Sequence, residues 1–318
     1  MKHAQKCAVI GCGNVGATTA YSLMLSGLFN EIVLLDIDKK RAKGEAEDIA
    51  HGIPFNSPVE IYAGDYSDVE DAGIIIITAG VSQKAGETRI DLVQRNTKVF
   101  SSIIDQITST KFDGIILVVT NPVDILTYVT IALSKFDPRR VLGSGTVLDT
   151  ARLKQLIGNK FGVDARNIHT FIIGEHGDSE LPVWSSANVS GIDIDSYCDN
   201  CMCNSNITTL QSTFESVRDA AYSIIEAKGA TYYAIAEAVK RIVTAIVRDE
   251  RTILPVSTLL TGQYGISDVC LGIPCVVGKN GIEEILEIPL DESEKKSIIR
   301  SANALQNAIA TIGMRATI

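Results

Sequence analysis

Cys7-Ala8-Val9-Ile10-Gly11-Cys12-Gly13-Asn14-Val15-Gly16 is the stretch on which the reading of this chain turns. Four apolar residues run straight into a G-x-G-x-x-G, as a buried parallel strand runs into a tight turn. A helix-like segment follows to Ser26-Gly27, then a second apolar run, Ile32-Val33-Leu34-Leu35, that ends in Asp36. A lone glycine triplet is a weak signal, but strand, turn, helix, strand and acid in that order are a strong one. The glycines permit a sharp turn and close approach to a pyrophosphate, whose charge is favoured at the helix N-terminus that follows. Asp36 stands 20 residues after Gly16, close to the spacing of an acid that accepts from an adenosine 2′-hydroxyl. A carboxylate there repels a 2′-phosphate, so the pattern favours NAD over NADP. The other reading, a structural glycine turn, is the weaker one in that context.

Outward from this unit, strand and helix patterns alternate. Apolar runs over 73–78 and 114–119 read as further central strands, with helical patterns at Lys39–Ala50, 92–109 and Val123–Ser134. Such alternation specifies a doubly wound parallel sheet. Near Val141 the pattern changes. A helix over 148–161 precedes a strand over 168–173 and hairpin-like stretches at Thr252–Thr261 and 269–277. Long helical regions occupy 212–228, 234–248 and 291–312. No internal repeat, low-complexity tract or flexible linker interrupts them. The two halves are expected to form one unit with a site in their cleft.

The 318 residues carry a net charge of −9 and are 46% hydrophobic and 21% charged. That balance is ordinary for a globular protein and argues against nucleic acid or an anionic membrane as partner. No basic-plus-apolar leader precedes the first strand and the apolar runs are strand-sized, so a cytoplasmic, non-spanning chain is expected. Of the seven cysteines, Cys7, Cys12, Cys270 and Cys275 read as packed small hydrophobes. Cys198, Cys201 and Cys203 cluster and could hold a metal ion or form a disulfide. No fourth ligand at zinc spacing is visible, so an incidental or structural role is the stronger reading and no metal is expected.

Two further segments carry chemistry. In Val147-Leu148-Asp149-Thr150-Ala151-Arg152, Asp149 and Arg152 are three apart and share a helix face. In Gly174-Glu175-His176-Gly177-Asp178, His176 is the residue that can move a proton near neutral pH. Arg grips a carboxylate through two parallel bonds that Lys cannot reproduce, and Asp fixes an imidazole tautomer and favours its charged form. A surface ion pair with an unrelated loop histidine would also explain them. The loop from Thr78 through Gly80, Gly86 and Arg89 to Asn96 has glycines at its ends and a polar centre, as a lid requires. Its ends meet the C-terminal edge of the sheet, where nucleotide folds place ligands.

These pieces, with Thr120-Asn121-Pro122-Val123-Asp124 and Gly143-Ser144-Gly145-Thr146, resemble the lactate/malate dehydrogenase family, in particular its bacterial L-lactate dehydrogenases, over essentially the whole chain. The resemblance implies an α/β fold: a Rossmann-type doubly wound parallel sheet over 1–143, then an α+β substrate-binding domain over 144–318. It implies that Arg152 binds the substrate carboxylate, that Asp149 and His176 transfer the proton, and that Arg89 polarises the keto oxygen. Gln83, Asn121, Asp124 and Thr231 would contact substrate. Gly11, Gly13, Val15, Gly16, Asp36, Arg41, Tyr66, Gly80, Val81, Ser102, Val119, Asn121, Ser144 and Ile235 would contact NAD, with Ile235 against the nicotinamide. The peptide before Pro122 is expected to be cis. In the related malate dehydrogenases an Arg stands at the position of Gln83. A neutral Gln83 leaves a second substrate carboxylate unpaired, so pyruvate and lactate are favoured over malate. A malate dehydrogenase and a non-catalytic NAD-binding protein are the alternatives. The family further implies a homotetramer. It also implies a fructose 1,6-bisphosphate effector site at Lys154 and His169, where Lys154 departs from the usual Arg.

Overall fold

The computed structural model describes residues 5–81, 86, 89–200 and 207–313. Its first half runs β1 (Lys6–Ile10), α1 (Asn14–Ser26), β2 (Glu31–Leu35), α2 (Lys39–Ala50), β3 (Glu60–Ala63) and β4 (Ile74–Ile77). Then come α3 (Arg89–Thr108), β5 (Ile115–Val118), α4 (Val123–Ser134) and β6 (Val141–Gly143). The six strands are parallel and lie in the order β3-β2-β1-β4-β5-β6. In such a sheet the winding reverses between β1 and β4, and ligands bind in the crevice beyond the strand C-termini there. The turn at Gly11 and the loop at Gly80 flank that crevice.

Alternate residues of the central strands serve two different cores, which is why their sequences are apolar throughout. Ala8, Ile10, Ile75, Ile77, Ile116 and Val118 pack with Phe100 and Ile104 of α3 and Tyr128 of α4. Cys7, Val9, Ile74, Ile76, Ile115 and Leu117 face the other way, onto Leu23 and Met24 of α1 and Ala42 and Ala46 of α2. All four isoleucines of β4 are buried, and truncating any to Ala would cost roughly 2–5 kcal/mol.

The second half runs α5 (Val147–Phe161), β7 (Ile168–His169), β8 (Ile172–Ile173), β9 (Leu181–Pro182), β10 (Asn188–Val189) and β11 (Ile192–Asp193). Then come α6 (Ile194–Asn200), α7 (Ile207–Lys228), α8 (Tyr233–Val247), β12 (Thr252–Thr261), β13 (Ser267–Gly278), β14 (Gly281–Ile285) and α9 (Glu292–Ala310). β12 pairs antiparallel with β6 through Ser257 and Gly143, and β13 and β14 follow it. The sheet therefore continues to nine strands across the junction of the two halves.

The single strand that the sequence predicts over 168–173 is two strands in two small sheets: β7 pairs with β10, and β8 with β9. Threonine hydroxyls explain the break. Thr170 Oγ1 donates to the Val183 carbonyl, and Thr150 Oγ1 on α5 accepts from the Ile172 N–H. Side chains thus take up backbone groups that a continuous strand would pair. α5 carries a core of its own, with Leu153, Ile157 and Phe161 packed against Ile168, Val189 and Phe214. Cys198 is buried in this core. Cys201 and Cys203 lie outside the described residues. No helix among the described residues is long and apolar enough to cross a membrane.

Candidate active site

Gly11 takes φ +102°, and a Cβ there would lie 2.4 Å from the Ala79 nitrogen. At Gly16 a Cβ would lie 1.8 Å from the Gly11 carbonyl oxygen, whereas at Gly13 nothing stands within 4 Å. The turn is closed on its inner side and open at Gly13, where a pyrophosphate must approach. Asp36, at the end of β2, accepts the Cys12 N–H at 2.6 Å and the Asp38 N–H at 2.9 Å. The acid is therefore held beside the glycine turn, as binding of an adenosine ribose requires. These residues fit a dinucleotide.

The other residues expected at the cofactor divide by place. Val15 and Ile235 pack against one sheet core and Tyr66 against the other. Val119 is buried, and Ser144 donates its N–H to the Val118 carbonyl at 2.8 Å. Arg41 and Ser102 are exposed on α2 and α3. Gly80 and Val81 form the root of the lid-like loop, and the fully buried Asn96 on α3 anchors it. Its Oδ1 accepts the Val81 N–H at 2.8 Å, and its Nδ2 donates to the carbonyls of Val81 and Asn121 at 3.3 Å. Asn96 thereby ties the loop root to the cis Asn121-Pro122 peptide. Sequence reading does not single it out, although the helical period from Val93 to Phe100 puts this amide on the buried face. Gln83 and the side chain of Arg89 lie outside the described residues.

The structure brings Asp149, Arg152 and His176 together. Asp149, in the first turn of α5, is 2% exposed. Its Oδ1 accepts from Arg152 Nη1 at 2.8 Å and its Oδ2 lies 2.6 Å from His176 Nδ1. One carboxylate thus braces both the guanidinium and the imidazole. Burial, the largest influence on His176, works against its charged form. The charge and hydrogen bond of Asp149 outweigh it, aided by Glu180 and Asp124, and raise the imidazole pKa to about 9. Burial likewise works against the charge on Asp149, but His176 and Arg152 hold its carboxyl below the usual value. The pair is therefore imidazolium and carboxylate at neutral pH.

The loop carrying His176 is pinned on several sides. The His176 N–H donates to Asp124 Oδ2 at 2.8 Å, and Ser257 Oγ donates to Asp124 Oδ1 at 2.6 Å. Both oxygens of Asp124 are thus engaged in holding the loop. Burial raises its pKa to about 6, although both hydrogen bonds favour the charged form. Gly174 pairs with Gly272 of β13. Ser301 of α9 accepts the Glu175 N–H at 2.8 Å, and Ser179 bonds to the Glu175 carboxylate. Ser257, Ser301 and Glu175 carry no signal in the sequence that marks them as supports. Thr231 lies half-buried between α7 and α8. Lys154 is half-buried on α5, where burial lowers its pKa, and His169 is exposed on β7.

Both halves of the chain match family models. Residues 5–143 match the NAD binding domain of lactate/malate dehydrogenases and residues 146–314 their alpha/beta C-terminal domain. The chain belongs to the lactate/malate dehydrogenase family. An L-lactate dehydrogenase of Acetivibrio thermocellus is 58% identical over 309 residues, 97% of each chain. A crystal structure of a lactate dehydrogenase from a Medee basin deep-sea metagenome library superposes with a TM-score of 0.96 at 45% identity, covering 98% of this chain and 100% of that one. The minor L-lactate dehydrogenase of Enterococcus mundtii, in its ligands-bound form, gives 0.94 at 40% identity, covering 97% and 98%.

Proposed function

We propose that the chain is an NAD-dependent L-lactate dehydrogenase that reduces pyruvate to (S)-lactate reversibly, with residues 1–143 serving the cofactor and 144–318 the substrate. The observation that carries the mechanism is the Asp149–His176 pair, a buried carboxylate on a half-buried imidazole, charged at neutral pH and sharing its carboxylate with Arg152. The L-lactate dehydrogenases at 52–58% identity over nearly the full length support the substrate assignment. So does Gln83, which offers no charge to a second carboxylate.

A dinucleotide held by the Gly11–Gly16 turn and Asp36 would supply the hydride for the keto carbon. Arg152 grips the substrate carboxylate, its guanidinium having five N–H donors of which the bond to Asp149 occupies one. Negative charge grows on the keto oxygen as the hydride arrives. His176 gives that oxygen a proton, and Arg89 supplies a second positive partner as the loop excludes water. Asp149 stabilises the imidazolium, so the keto acid binds the charged form of His176 and the hydroxy acid the neutral form. Asn121 and Thr231 complete the substrate pocket, and Asp124 acts by holding the His176 backbone.

The enzyme would serve fermentative glycolysis in the cytoplasm as a homotetramer, with fructose 1,6-bisphosphate bound at Lys154 and His169. The test is NADH oxidation by pyruvate in the wild type and in His176→Asn. Turnover should fall by roughly a thousandfold or more, as expected for loss of a general acid, while NADH binding, read by fluorescence, persists. A variant within tenfold of wild type would remove His176 from its role.

A further inference from the structure

Asp149 is not the only carboxylate beside His176. Glu180 is 8% exposed, and a carboxylate oxygen of it, one of Asp149 and a ring nitrogen of His176 all lie within 4.8 Å of one another. Local structure holds it there. The Glu180 N–H donates to the Gly177 carbonyl at 3.1 Å, which closes the turn that carries His176. The next residue, Leu181, opens β9 and pairs with Ile173 of β8. Both oxygens of Asp149 are occupied by Arg152 and His176, which leaves Glu180 as the second acidic neighbour of the imidazole.

We propose that Glu180 is a positioning residue for proton transfer, which with Asp149 holds the proton on His176 and keeps the imidazole charged further into the alkaline range than Asp149 alone would. A carboxylate this well buried is costly to ionise unless a cation faces it. Burial and then the charge of Asp149 push the Glu180 carboxyl well above the usual carboxylate range, while His176, Arg152 and the Gly177 N–H draw it back. Glu180 therefore titrates together with the Asp149–His176 pair rather than as an independent group. As the pH rises and Glu180 ionises, its charge opposes the loss of the neighbouring imidazolium proton.

Other charged groups face the pair from several elements. Asp149 and Arg152 come from α5, and Asp124 from α4 holds the His176 N–H. Glu175 and Asp178 sit in the loop itself, where Glu175 bonds to Ser179 and Asp178 accepts from Tyr222 of α7. α9 contributes the uncharged Ser301. The three atoms have the spacing of a cation site, yet a metal there would have to displace the imidazole proton and sit beside the Arg152 charge. A proton is the occupant these neighbours favour.

The inference rests on His176 being the proton donor, and its test is built to fail separately. With the full-length enzyme, kcat/KM is measured against pH for pyruvate with NADH and for lactate with NAD, in wild type, Glu180→Gln and Glu180→Asp. In Glu180→Gln the alkaline fall in pyruvate reduction and the rise in lactate oxidation should move together to lower pH, by roughly half a unit or more. Glu180→Asp, which keeps a carboxylate, should return the midpoint toward wild type. A purely structural role would lower the plateaus without moving the midpoints, so an unmoved midpoint in Glu180→Gln overturns the proposal at any level of activity. Should that variant not accumulate in folded form, Glu180→Ser is read in the same way. Retained activity in His176→Asn would instead sink the underlying reading.

Discussion

Replacing Asp149 with Asn removes one charge from the centre of the site and keeps the shape. The His176 pKa stands at about 9 against an ordinary 6.5, a preference for imidazolium of roughly 3 kcal/mol at about 1.4 kcal/mol per pH unit. That figure is net of burial, which opposes the charge, and includes smaller help from Glu180 and Asp124, so Asp149 supplies the larger part of what favours imidazolium. Without it the imidazole should titrate near its ordinary 6.5, because burial and the smaller help from Glu180 and Asp124 are left to oppose one another. At pH 8 the charged fraction then drops from about nine-tenths to about three-hundredths, and pyruvate reduction should fall roughly thirtyfold from proton supply alone. The sign is fixed by the direction of the shift. A raised imidazole pKa keeps the donor charged up to about pH 9, so lowering it moves the fall in rate to lower pH and spares the rate near pH 6. The assay is kcat/KM for pyruvate with saturating NADH, followed by NADH absorbance from pH 5.5 to 10. A variant whose profile keeps the wild-type midpoint would refute the role given to Asp149, even if its rates were lower throughout.

Three other perturbations bear on the cofactor turn, the substrate and the effector. Gly16→Ala sets a Cβ 1.8 Å from the Gly11 carbonyl, so NADH affinity measured by fluorescence titration should weaken at least tenfold, with the two oxidation states of the cofactor affected alike. Gln83→Arg supplies a cation for a second carboxylate and should shift the kcat/KM ratio toward oxaloacetate by roughly tenfold or more, since a charged hydrogen bond contributes about 1.5–3 kcal/mol; an unchanged ratio would place Gln83 away from the substrate. If fructose 1,6-bisphosphate binds at Lys154 and His169 as proposed, it should lower the apparent KM for pyruvate at neutral pH and low salt through its differential affinity for two states. Loss of that response in His169→Ala is expected, and superimposed saturation curves with and without the bisphosphate would exclude the effector site.

The cofactor half was legible because a parallel strand buried on both faces has an unbroken apolar run, and because the glycine turn follows from close contacts at Gly11 and Gly16. β3 escaped notice because it is an edge strand in which only Ile61 is buried, between polar and half-exposed neighbours. β6 has three residues, and β7 to β11 two each, too few to show a period. The trio of Asp149, Arg152 and His176 stands out by residue chemistry, and the family resemblance supplies its roles. Its supports could not, since each acts across a long stretch of chain: Ser257 on Asp124 over 133 residues and Ser301 on Glu175 over 126. Such contacts exist only once the sheet has brought α4, β12 and α9 around the His176 loop. Glu180 carries no sequence signal for a similar reason, because a glutamate after a turn looks solvated until the fold buries it.

The central claim is substrate identity, and one measurement addresses it directly: kcat/KM for pyruvate and for oxaloacetate, with saturating NADH and the same enzyme preparation at neutral pH. If Arg152 meets the one carboxylate and neutral Gln83 faces the rest of the substrate, pyruvate should be preferred by roughly a hundredfold or more, the cost of leaving a second carboxylate unpaired. Equal values, or a preference for oxaloacetate, would contradict the account and place the enzyme among the malate dehydrogenases.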